Sequence, residues 1–142
     1  MTIRGRLMDG KPQVRVRVRY ADVQLPIWFL VDTGAARTTL LDGDLRWLEL
    51  DPRSLEPLPN SIVGFGGPVR SFLLRHAELV FTTTDGHYQL PHNLCAVQHE
   101  IVRFPQPIAT RILELPSVLG RDIIDRFRFV YEHATGTVLL ER

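Results

Sequence analysis

The chain has 142 residues, 44% apolar and 23% charged, an ordinary globular composition with enough material to bury a core as one domain spanning 1–142. A formal net charge of +1 excludes a global field that would gather nucleic acid or an anionic membrane surface. The single cysteine, Cys95, excludes an intrachain disulfide framework and a cysteine-based metal site, and favours a reducing, cytoplasmic setting.

The opening "MTIRGRLMDGKP" has no apolar run of signal-peptide type, and the longest apolar stretch, Leu25 to Val31, is too short to span a bilayer. "QVRVRVRY" (13–20) alternates apolar and basic residues, predicting a strand with valines inward and Arg15, Arg17 and Arg19 outward. The Gly10-Lys11-Pro12 turn predicts that "TIRGRLMD" pairs with it as a hairpin. After Ala21-Asp22, the continuous apolar character of "VQLPIWFLV" predicts a strand covered on both faces, broken or bulged near Pro26. It runs directly into Asp32-Thr33-Gly34-Ala35.

"RTTLL" reads as a short strand, and "DGDLRWLEL" as one or two helical turns capped by Asp42 or Asp44. Three prolines make "DPRSLEPLPN" an irregular connection. "SIVGFGGPVRSFLL" predicts a hairpin with a glycine-rich tip, and "AELVFTTTDGHYQL" a second hairpin turning at Asp85-Gly86. The prolines at 91, 105, 107 and 116 leave a strand near "NLCAVQH" followed by loop. "GRDIIDRFRF" is the one helical segment of the C-terminal half, and "RFVYEHATGTVLLE" closes the chain as a hairpin. Many short strands and one late helix predict an all-β, barrel-like domain.

Asp-Thr-Gly alone is a common tripeptide; its setting is what makes it specific. It follows an apolar strand, a glycine-rich hairpin comes about thirty residues later, and "SVLGRDII" supplies apolar residues, a glycine and a helix start. In these three elements, "FLVDTGA", "IVGFGGPV" and "VLGRDII", and in their order, the sequence resembles the retropepsin-like aspartic proteases. The tail from Leu119 onward resembles the bacterial and cellular branch of that family. The resemblance implies a closed barrel of short strands with a flap hairpin and one short C-terminal helix.

It also implies an endopeptidase without metal or other cofactor. One carboxyl deprotonates water while a second protonates the carbonyl oxygen, the two sharing a proton because close like charges cannot both ionise. Since there is one such motif, the family's arrangement implies a homodimer in which Asp32 is the catalytic residue and faces Asp32 of a second copy. Thr33 would lock the two loops together across the axis, and Gly34 would donate its N–H to a carboxylate oxygen. Ala35 lacks the hydroxyl present where relatives read DTGS. Val63, Gly64, Phe65, Gly66 and Gly67 would form a flap over a bound peptide or protein substrate. Val118, Leu119, Gly120 and Arg121 would support the loop from below. Retroviral members often carry an acid after DTGA that pairs with the arginine of the "GR" segment; Ala36-Arg37 stands there, leaving Arg121 in need of another partner.

Two other readings compete. One is a catalytically weak or inactive dimer of the same fold that binds peptide or protein partners. The other is a nucleic-acid-binding β-domain, supported by the three arginines alone; these read more simply as a solvated face that discourages edge-to-edge pairing. The five histidines (76, 87, 92, 99 and 133) lack metal-ligand spacing and read as surface or loop residues. Cys95 reads as a small buried hydrophobe.

Overall fold

The computed structural model describes residues 1–59 and 69–142. Val63, Gly64, Phe65, Gly66 and Gly67, the expected flap, lie outside the described residues.

The valine–arginine alternation does what its period demands. In β3 (Lys11–Tyr20), Val14, Val16 and Val18 are fully buried while Arg15, Arg17 and Arg19 face out. β3 pairs antiparallel with β4 (Val23–Val31) over their common length. β4 is covered on both faces, as its composition predicts. Ile27, Phe29 and Val31 point into the core, and half-buried Trp28 lies on the other face under the Arg6 guanidinium, 3.6 Å from the ring centre. Pro26 neither breaks nor bulges the strand; it sits in register opposite Arg17.

The expected pairing of "TIRGRLMD" is half right. β2 (Arg6–Met8) joins β3, but β1 (Thr2–Arg4) leaves for a second sheet, pairing with β11 (Thr137–Glu141), which pairs in turn with β10 (Arg128–Glu132). The tip and first half of the glycine-rich hairpin lie outside the described residues, and its second half is continuous with the first strand of the Asp85-Gly86 hairpin. β7 (Val69–Thr83) runs through both and pairs with β8 (Gly86–His99). The ladder survives a bulge between Leu74 and Ala77 because His76 takes a left-handed conformation (φ 61°), so the strand bends without ending. These two strands of 15 and 14 residues are not short.

The main sheet closes into a barrel. β5 (Thr39–Leu40), β6 (Glu56–Leu58) and β9 (Ser117–Leu119) complete the order β2-β3-β4-β9-β5-β8-β7-β6, and β3 pairs back onto β7 from Val16 to Arg19. That closure corrects the edge-strand reading of the arginines: over those residues β3 has neighbours on both sides, and Arg19 forms an ion pair with Glu78 at 2.6 Å.

Three α-helices stand among the described residues. α1 (Asp42–Trp47) forms where expected, but Leu41 is its N-cap, and neither Asp42 nor Asp44 caps it. α2 (Ile108–Glu114) replaces the expected loop. Pro105 and Pro107 precede it and Pro116 follows, positions that border a helix without breaking it, and Ala109 and Ile112 bury its inner face. α3 (Arg121–Ile124) seals the barrel with Ile123 and Ile124. One apolar core joins the two sheets: Ile3, Val138 and Leu140 pack with Val14, Phe29, Phe81, Leu94 and Ile123. The mainly-β expectation stands.

Candidate active site

β4 delivers Asp32 to the end of the barrel. β9 runs parallel beside it, pairing Leu30 with Val118 and Val31 with Leu119, and the Leu119 carbonyl then accepts the Asp32 N–H at 3.0 Å. The chain after β9 crosses the loop after β4. Arg121 N–H donates to the Ala35 carbonyl (2.8 Å) and Asp122 N–H to the Ala36 carbonyl (3.2 Å). The crossing is so close that a Cβ on Gly120 would lie 2.5 Å from the carbonyl carbon of Arg37, which is why a glycine stands there.

On this crossed support Asp32 is half-buried, and its carboxylate accepts the Gly34 N–H at 2.9 Å through Oδ1. Among the described residues, no other hydrogen bond or ion pair reaches it. Thr33 and Gly34 are exposed at the tip, and Ala35 packs against a small apolar group formed by Leu41, Val97 and Val118 with Leu30 and Val69. This group lies apart from the main core, beside the loop. The loop is therefore fixed at its base and open at its carboxylate.

Arg121 is exposed. It finds a neutral partner: its guanidinium donates to the Thr33 carbonyl at 3.0 Å, holding the tip of the loop without a carboxylate. The carboxylate missing from position 36 is supplied one residue later than the arginine. Asp122 accepts the Thr38 N–H (2.9 and 3.0 Å to its two oxygens) and the Thr38 hydroxyl (2.7 Å), and meets His92 Nε2 at 2.9 Å. Thr38 Oγ accepts in turn from the Gly120 N–H at 3.0 Å. Burial alone would raise the Asp122 pKa; the hydrogen bonds from His92 and Thr38, with the His92 charge, outweigh it and hold the carboxyl below its ordinary range.

Sequence reasoning missed Asp122, Thr38 and His92. Asp122 was within reach, since it stands next to Arg121 in the segment already singled out. His92 was not, because its partner is thirty residues away. Two histidines depart from the surface reading: His92 is largely buried, and His99 is fully enclosed against Asp42, which accepts from its N–H (2.7 Å) and meets its Nδ1 (2.6 Å). His76, His87 and His133 are exposed. Cys95 is buried, and burial raises its thiol pKa despite Arg37 nearby, so it is no thiolate nucleophile.

The fold matches solved structures. The chain is similar to a retropepsin-like aspartic protease from Rickettsia conorii, with TM-score 0.56 and 18% identity over 99% of this chain and 88% of that one. It is also similar to the EIAV protease complexed with the inhibitor HBY-793, with TM-score 0.50 and 20% identity over 84% of this chain and 89% of that one. No family model matches the sequence, and no curated protein matches it. The protein has a retropepsin-like fold.

Proposed function

We propose that this protein is an aspartic endopeptidase that works as a homodimer, with Asp32 of each copy contributing one carboxyl to a shared dyad. The observation that carries the reading is the state of Asp32: a half-buried carboxylate, held by Gly34 on a doubly braced loop, with no other partner among the described residues. A structural aspartate in such a setting would gather donors. One left open at the rim of an apolar group can approach a second copy and a substrate.

In this mechanism one carboxylate takes a proton from water as it attacks the peptide carbonyl. The other, protonated, donates to the carbonyl oxygen, giving a gem-diol intermediate that collapses with proton transfer to the leaving nitrogen. The exposed hydroxyl of Thr33 is available to bond across the two-fold axis. The partly buried Leu30, Ala35 and Val69 would offer an apolar wall to the side chains of an extended peptide, and the segment bearing Val63 to Gly67 would cover it. The buried free Cys95 suits a reducing, cytoplasmic compartment, and no described helix is long and apolar enough to cross a membrane.

The test is a peptide-library cleavage assay from pH 4 to 7, wild type against Asp32→Asn. Wild type cleaves and the variant does not. Cleavage surviving in the variant sinks the dyad. Binding without cleavage by either protein favours the peptide-binding dimer. Sedimentation gives an independent check: a strict monomer at active concentrations is incompatible with a shared dyad.

A further inference from the structure

The Asp32 loop is braced at its far end by one ionisable contact. Asp122 holds the loop twice, through its main-chain N–H to Ala36 and its carboxylate to Thr38. The remaining side-chain donor on that carboxylate is His92. An ionised carboxylate oxygen can only accept, so the hydrogen lies on His92 Nε2. That bond is already charge-assisted by the carboxylate; protonating Nδ1 puts a full positive charge on the donor and turns it into an ion pair.

The strand is built to aim this ring. His92 lies in register with Ala77, next to the β7 bulge where His76 takes a left-handed conformation and donates its N–H to the Asn93 side chain at 2.9 Å. Left-handed backbone at a histidine is strained and recurs beside functional sites. His92 occupies a core-facing row with Leu90 and Leu94 yet keeps 15% side-chain exposure, so a proton can reach it. The other charged or titratable groups around the carboxylate are Arg37 and Cys95 across the loop and Arg126 on the helix side. Arg37 points to Cys95 Sγ at 3.9 Å, and Arg126 donates to the main-chain carbonyl of Asp122 at 3.3 Å, leaving the Asp122 carboxylate to His92 and Thr38.

We infer that His92 is a positioning residue for Asp32: its proton-dependent grip on Asp122 stiffens the catalytic loop as the pH falls. The activity arm rests on the protease reading; the structural arm does not. On that reading a carboxyl dyad shares a proton in acid, so the brace would strengthen as the dyad takes up that proton.

The experiment combines amide hydrogen exchange at Thr38 and Gly120 with kcat and KM from pH 4 to 7, on the full chain at dimer concentrations. His92→Ala removes the donor; His92→Gln keeps an N–H at a similar reach but cannot be protonated. In His92→Ala, the Thr38 and Gly120 amides exchange about tenfold faster at pH 5, and kcat falls about tenfold with KM changed less than about twofold. His92→Gln behaves as wild type at pH 7 and resembles His92→Ala at pH 5. The inference is overturned if these amides keep wild-type rates in His92→Ala. It is equally overturned if core amides such as Leu79 and Phe81 accelerate just as much, since that is general destabilisation. If wild type cleaves nothing while the two amides respond selectively, the brace stands and the protease reading falls.

Discussion

Asp32 and Asp42 each follow an apolar run at the end of a strand. The fold treats them in opposite ways. Asp42, 2% exposed, has both oxygens engaged by the backbone and ring of His99. Asp32 keeps one donor and stays half open. Asp122 belongs with Asp42, saturated by Thr38 and His92. Buried carboxylates that hold structure are those whose oxygens are fully engaged, because each lost solvent contact must be replaced. Asp32, half open to solvent, is under no such demand, which is the state the proposed dyad would require.

The comparison can be broken by exchanging roles. Asp32→Asn should lower peptide cleavage at least about a hundredfold while changing unfolding free energy by no more than about 0.5 kcal/mol. Turnover assays and urea denaturation read the two quantities. Asp42→Ala should do the reverse, costing about 3 kcal/mol or more because His99 is left enclosed without its carboxylate. A urea midpoint equal to wild type would show that the pair is dispensable.

Asp122 gives a pH-dependent version. Its folded pKa is depressed, so its contribution is fully present above the unfolded value near 3.9 and is lost as pH falls through the lower folded value. Asp122→Asn should therefore be less stable than wild type at pH 6, with the gap closing below about pH 4 in thermal melts. Asp44 runs the other way and is the smallest effect. Burial raises its pKa, with the Ser117 hydrogen bonds offsetting only part. A raised carboxyl favours the folded state at low pH, and that advantage fades as pH rises from the unfolded value through the folded one. Asp44→Asn should then melt slightly higher than wild type at pH 7 and no higher at pH 3.

Much of the fold was legible because short-range pattern carried it. The period of two in β3, the double-sided apolar run of β4 and the helix start after Gly120 all follow from local spacing, whereas the candidacy of Asp32 came from the resemblance carried jointly by three separated motifs. Helix α2 was not legible: prolines that border a helix look, in sequence, like prolines that forbid one. The continuity of β7 through residues expected as two separate strands depended on His76 accepting a conformation that residue type does not announce. Arg121 looked orphaned because an exposed guanidinium satisfied by a carbonyl leaves no complementary charge to find.

By itself, then, the sequence determined which face of β3 is apolar, that β4 is covered on both faces, and where Asp32 leaves that run. Those depend on hydrophobic period, which is a property of neighbouring residues. Only the tertiary structure decided that β3 closes onto β7, that Asp42 is a buried anchor while Asp32 stays open, and that His92 reaches Asp122. Each of these is a contact between residues thirty or more positions apart, and a carboxylate's role is set by the donors that arrive from such distances.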